Sequence, residues 1–170
     1  MRFQSKGSGN RLVTMPFDDF CVIDGRCITL LHNHILDIGE TCEIAIKVPD
    51  SDRDIMWSYD LNLPFPATAQ YSTGAVWTGG TALDFNNKQL GNPYRLGISG
   101  VYDPTVSDEG DIYDSTRYGA VTGTGATRTI AGQSFGSGWF RLERNKTFLQ
   151  KITSHYDDNN IVTRFSFIEI

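Results

Sequence analysis

Ile55-Met56-Trp57-Ser58-Tyr59-Asp60-Leu61-Asn62-Leu63 is the stretch whose reading decides the fold. Ile55, Trp57, Tyr59, Leu61 and Leu63 fall at every second position, and Ser58, Asp60 and Asn62 take positions between them. A period of two belongs to a β-strand, and one apolar face beside one polar face marks a strand packed on a core from one side. The stretch is therefore expected to be a central strand, stopped by Pro64 and Pro66.

Working outward, Thr41 to Val48 repeats the pattern. Cys42, Ile44, Ile46 and Val48 face one way, and Thr41, Glu43 and Lys47 the other. Upstream, Phe20 to Ile23 and Cys27 to Leu31 flank Asp24-Gly25, a hairpin signal. Downstream, Ala67 to Thr73 is a further strand candidate, and Tyr94, Leu96 and Ile98 alternate into Val101-Tyr102. Asp103-Pro104 begins a turn, and Ile112 to Tyr118 is another strand candidate. Three strands close the chain: Trp139 to Arg144, Thr147 to Ser154 and Ile161 to Ile170, with turns at Asn145-Lys146 and Asp157 to Asn160. Two Gly-rich stretches, 74–93 and 119–138, read as long loops. Residues 1–19 lack periodicity and are expected to form an extended N-terminal arm, leaving 20–170 as one all-β antiparallel sandwich, jelly-roll-like in outline.

Composition agrees. Among 170 residues, 38 are Ile, Val or Thr and 17 are Gly, whereas Ala numbers 8, and Lys, Gln and Glu 5 each. Strand and turn formers outweigh helix formers, which disfavours a helical bundle or a doubly wound nucleotide-binding fold. The net charge of −5 comes with scattered basic residues, which argues against nucleic-acid binding. No apolar run approaches the ~20 residues of a membrane span, and no apolar signal segment follows Met1. Nucleic acid and membrane are thus not expected partners, and synthesis in the cytoplasm is expected.

Few constellations carry chemistry. Cys21, Cys27 and Cys42 are an odd set without a CxxC pair and read as small buried thiols, although Cys21 and Cys27 could face each other across the hairpin. Gly132-Gln133-Ser134-Phe135-Gly136 has the letters of a nucleophile elbow, but no helix follows, and His155 precedes Asp157 and Asp158 rather than following them. His32-Asn33-His34 places two imidazoles on one side of an extended segment, with Asp37 and Glu40 near in sequence; spacing fixes no third metal ligand. Asp50-Ser51-Asp52-Arg53-Asp54 opens like a calcium loop, but Ile55 and Leu61 stand where glycine and glutamate are required. Asp108, Glu109, Asp111 and Asp114 are weak calcium candidates, turn capping being the ordinary role of such residues. No catalytic residue, cofactor or metal is expected. Partner contacts are expected from Arg2, Phe3, Arg11 and Phe17 of the arm, and from Tyr71 and Trp77, aromatics read as exposed, a packed loop anchor being the equal alternative for Trp77.

The order of features resembles a family of small β-sandwich proteins in the structural gene clusters of tailed bacteriophages. The resemblance covers roughly residues 40 to 170. It is carried by Gly79-Gly80-Thr81-Ala82-Leu83 with Asn86-Asn87, then Tyr102-Asp103-Pro104-Thr105-Val106-Ser107-Asp108-Glu109-Gly110, then Phe140-Arg141-Leu142. Asn145-Lys146-Thr147-Phe148-Leu149-Gln150-Lys151-Ile152-Thr153 and Phe165-Ser166-Phe167-Ile168-Glu169 complete it. The chain departs from the family where Glu143-Arg144-Asn145-Lys146-Thr147 replaces the usual KQNT, and where Phe167-Ile168 replaces the terminal aromatic pair. The resemblance implies a non-enzymatic virion protein on the capsid surface, a decoration or cement protein. It would bind the major capsid protein and associate with itself, as a trimer. The alternatives are a tail, neck or head-fibre component, a carbohydrate-binding module using exposed Trp77 and Tyr71 with a loop calcium, and, weakest, a hydrolase using Ser134.

Overall fold

The computed structural model describes residues 25–89, 91, 96–118 and 139–170, and the backbone alone of 3–4, 12–13 and 133–136. Its strands are β1 (Phe3–Gln4), β2 (Leu12–Val13), β3 (Cys27–Leu36), β4 (Thr41–Lys47), β5 (Ile55–Leu63), β6 (Ala67–Thr73), β7 (Val76–Thr78) and β8 (Thr81–Ala82). They continue as β9 (Asn86–Asn87), β10 (Ser99–Tyr102), β11 (Thr105–Asp108), β12 (Asp111–Tyr118), β13 (Gln133–Gly136), β14 (Phe140–Leu142), β15 (Thr147–Ser154) and β16 (Asn159–Glu169). No helix occurs among the described residues.

Two antiparallel sheets make the sandwich. The first runs β12-β6-β15-β4-β10-β8, and the second runs β13-β5-β16-β3-β9. The second sheet's β13 pairs with Asp60 to Leu63 of β5, while β14 pairs with Ile55 to Trp57, so the two short strands share one edge. Following the eight principal positions, the chain passes from β3 in the second sheet to β4 in the first, back to β5, and then to β6. It stays in the first sheet for β12, returns to the second for β13 and β14, then alternates through β15 and β16. Each crossing buries the apolar face of one strand against strands distant in sequence.

The expected all-β antiparallel sandwich is therefore what forms. The β5 stripe lies between β14 and β16, and its Trp57, Leu61 and Leu63 are buried with Phe165 and Phe167 of β16. Trp57 stacks on Phe165 at 5.5 Å between ring centroids. Each such aromatic or branched side chain removed from water contributes about 2 kcal/mol. In β4, Cys42, Ile44 and Ile46 face this core, while Ala45 on the opposite side is also buried. The cause is a two-stranded ribbon of β7 and β11, which lies outside the first sheet and packs Trp77 and Val106 with Ala45, Ala75 and Leu149.

The structure revises several boundaries. The strand expected to end at Leu31 runs on to Leu36, because His32 and His34 take core-facing positions. The alternation expected from Tyr94 breaks at Leu96 and Gly97, which have φ of 51° and 66°; the strand starts at Ser99. The 74–93 loop contains the short strands β7, β8 and β9. Within the arm expected to be extended, Phe3 pairs with Val13 and Gln4 with Leu12. Asn145 and Asp158, at the two C-terminal turns, have φ of 53°, a region Asn and Asp tolerate better than most residues.

Candidate interaction surfaces

One long edge of the sandwich opens into an apolar groove between β12 of the first sheet and β14 of the second. Trp57, Tyr113, Phe140, Leu142 and Phe148 line it, around a cavity of about 230 Å³. Trp57 forms the floor, 6.4 Å from Phe140 and 6.3 Å from Phe148 between ring centroids. Tyr113 and Phe140 are about half exposed at the mouth. The sheet register slips between Ile112 and Asp114, and the bulged residue is Tyr113. A bulge of this kind re-aims a side chain, here towards the groove. Arg141 stands at the rim, where Asp54 accepts hydrogen bonds from it at 2.9 Å and from Arg144 at 3.1 Å. An apolar slot with Arg141 and Glu143 at its rim suits an aromatic or aliphatic side chain of a protein partner, with the charged groups on its polar rim.

At the opposite edge, His32 and His34 project from β3 into the space between the sheets. His32 lies 4.6 Å from the Tyr102 ring and 4.2 Å from His34. Burial lowers both imidazole pKa values, that of His34 to about 4, with His32 adding to the effect and Asp103 opposing it. Both rings are therefore neutral at pH 7. Asp37 and Glu40, the carboxylates near them in sequence, belong instead to the β3–β4 turn. There Glu40 accepts from the Asp37 backbone at 2.9 Å, and Asp37 from the Asp158 backbone at 3.2 Å.

The remaining predicted site residues are dispersed. Tyr71, expected at the surface, is fully buried: its hydroxyl accepts from Gln150 Nε2 at 3.0 Å, and its ring stacks on Tyr59 at 4.4 Å. Its inward β6 position, opposite Gln150 of β15, accounts for this correction. Trp77 is half-buried on β7 and anchors the ribbon rather than standing free in a loop. The four calcium candidates do not converge. Asp108 caps the Gly110 N–H at 2.9 Å, Glu109 accepts from Lys151 and Gln70, Asp114 accepts from Thr116 at 2.9 Å, and Asp111 is exposed on β12. The hydrogen bond from Lys151 also holds the Glu109 carboxyl below its ordinary pKa. Among the described residues, no group of three or more His, Cys, Asp or Glu side chains is placed to hold a metal ion.

Cys27 and Cys42 are buried, and burial raises the Cys42 pKa to about 12; Cys21 lies outside the described residues. Ser134 is described by its backbone, which pairs with Asn62 as an edge strand instead of forming a strand-to-helix turn. His155 shares a hydrogen bond with Thr68 at 2.7 Å. Arg2, Arg11 and Phe17 lie outside the described residues, and Phe3 is described by its backbone alone.

Sequence reasoning missed the groove because it is assembled from β5, β12, β14 and β15, which no local pattern brings together. The one available signal was Tyr113 beside Ile112, two large apolar side chains adjacent in a strand otherwise polar on its outer face. No helix of the described residues is long and apolar enough to cross a membrane. Comparison with family models, curated proteins and solved structures returns no match for this chain.

Proposed function

We propose that this chain is a non-enzymatic structural protein of a tailed-phage virion, a decoration or cement protein that stabilises the head by bridging coat subunits. The observation that carries the reading is the strand order. β3-β16-β5-β14 in one sheet faces β4-β15-β6-β12 in the other, with the chain alternating between sheets. That order supports a jelly roll, an architecture used by viral capsid and lectin domains. The sequence resemblance points to the capsid member of this pair. The apolar groove, rimmed by Arg141 and Glu143, supplies a surface for the major capsid protein. In that role the protein adds buried interface between coat subunits, and the added binding free energy opposes the outward pressure of packaged DNA.

Purified virions carrying and lacking the protein test the reading, with thermal DNA release as the measurement. Release at a higher temperature when the protein is present is the expected result, and equal release temperatures would overturn it. Phe140→Ser at the groove mouth is expected to weaken attachment to empty shells while leaving the fold intact. Labelling of particles on the tail or neck instead of the shell would select the other virion assignment. The carbohydrate-binding alternative has lost one of its two aromatic platforms, because Tyr71 is buried.

A further inference from the structure

We propose that the open edge of β3 is a homodimer interface, in which two copies pair Leu31 to Ile35 antiparallel about a two-fold axis through Asn33. Four observations lead there.

The first is an incomplete ladder. On one side β3 pairs with β16 over its whole length, from Cys27 opposite Ile168 to Leu36 opposite Asn159. On the other side β9 reaches only Ile28 and Thr29. Among the described residues nothing pairs with Leu30 to Leu36 on that side. The Lys88 N–H donates to the Cys27 carbonyl at 2.9 Å across this edge. Backbone groups alternate sides along an antiparallel strand, so those of Leu31, Asn33 and Ile35 also point to the open side.

The second is the absence of protection. Leu30 to Leu36 contain no proline and no Lys, Arg, Asp or Glu, and the β16–β3 register runs through them without a bulge. Free edges in monomeric proteins are blunted by charge, proline or a bulge, because an open ladder invites another strand.

The third is exposure. Leu31 is 59% and Ile35 66% exposed, and Asn33 between them is exposed on the same outer face.

The fourth selects a second copy as the occupant. Leu31-His32-Asn33-His34-Ile35 reads nearly the same in both directions. Antiparallel self-pairing centred on Asn33 sets Leu31 against the partner's Ile35, Asn33 against its own copy, and His32 against the partner's His34. Apolar meets apolar on the outer face, and imidazole meets imidazole on the inner face beside Tyr102. Each of the three outward-pointing pairs exchanges two backbone hydrogen bonds, about six in all. Moving the centre to His32 keeps the ladder but opposes Leu31 with Asn33, so side-chain matching fixes the register. The contact is isologous and closes at two copies. It therefore yields a dimer in place of the expected trimer, and it holds wherever the protein works.

The mass of the full chain in solution at about 100 μM, where a pair of micromolar Kd is largely associated, is the test. Twice the 19.0 kDa chain mass is expected. Ile35→Lys puts a charge on an exposed position, so the fold is retained while self-association weakens at least ~tenfold. Asn33→Cys should give a covalent dimer on mild oxidation that the parent chain does not give, because hydrogen-bonded antiparallel partners have Cα atoms about 5.5 Å apart, within disulfide reach. A monomeric parent chain, a trimer, or a dimer indifferent to Ile35→Lys with no Asn33→Cys cross-link would each overturn the proposal. A monomer that takes up an added strand peptide would assign the edge to a different partner.

Discussion

Thr163→Val is expected to stabilise this protein, against the general rule that core substitutions weaken it. Thr163 is fully buried on the inner face of β16, between His32 of β3 and Leu61 of β5 in the ladder. Its Oγ1 has no hydrogen-bond partner among the described residues. A hydroxyl taken out of water without a partner costs about 1–3 kcal/mol. Valine keeps the volume and the β-branched shape, so the strand backbone and the packing around it need not move. The gain is thus about 1–2 kcal/mol, and for a domain of this size Tm should rise by about 4 °C. Urea unfolding should show a higher midpoint at unchanged slope, which separates a stability change from a change in the unfolded ensemble. Thr163→Ser supplies the contrast: it keeps the hydroxyl, removes the methyl group and should cost about 1 kcal/mol. A loss of 1 kcal/mol or more in Thr163→Val would refute the reasoning, because it would mean that the hydroxyl is hydrogen-bonded in solution.

Burial holds His34 neutral in the folded chain down to about pH 4, whereas in the unfolded chain it titrates near 6.5. The unfolded state then binds more protons between those values, so stability should fall as pH drops from about 6.5 towards 4. His34→Gln should flatten that part of the stability–pH curve, read by denaturant midpoints at several pH values. Gly110 has φ of 73°, and a Cβ there would run into the backbone of Thr73 and Ala75. Gly110→Ala should therefore cost about 3 kcal/mol or more and disturb the β11–β12 turn, measurable by thermal melting. Tyr71→Phe removes the acceptor of the Gln150 amide, whose Oε1 already lacks a partner among the described residues, and should cost about 1–2 kcal/mol in urea unfolding.

The fold was legible wherever side chains alternated with little interruption. The β5 stripe and the segments Ala67–Thr73 and Thr147–Ser154 were readable because a strand with one face buried must alternate. The left-handed turns at Asn145 and Asp158 were readable because Asn and Asp suit that conformation. Reading failed where core positions hold polar residues. His32 and His34 face inward on β3, yet their polarity made the strand seem to stop at Leu31. Tyr71 failed in the opposite way: the same alternation that identifies β6 puts Tyr71 inside, but an aromatic with a hydroxyl suits either face. The groove and the open β3 edge depend on which strands become neighbours, and long-range pairing has no local signature.

The misread residues His32 and Tyr71 lie at one level of the sandwich, with His34 at the next inward position. In the first sheet, register sets Tyr102, Ile44, Gln150 and Tyr71 in a row across β10, β4, β15 and β6. In the second it sets His32, Thr163 and Leu61 in a row across β3, β16 and β5. His32 meets Tyr102 where the two rows face each other. Apolar layers lie on either side of this level, with Phe165 and Phe167 towards one end and Ile161 and Leu36 towards the other. Gln150 Oε1, Thr163 Oγ1 and His34 Nε2, all buried without hydrogen-bond partners among the described residues, belong to this level or to the next inward position beside it. Interiors that keep unmatched polar atoms run against the consistency that makes a sequence fold to one structure, and such departures gather where function constrains the residue. The polar row ends at the edge of β3. If two copies pair there, each row continues through His32 and His34 into that of its partner, so the polarity that obscured β3 in the sequence lines the inner side of the contact. Replacing His32 and His34 together by leucine should then raise monomer stability while changing the strength of self-association. A change in stability alone would assign the row to the interior of the single chain.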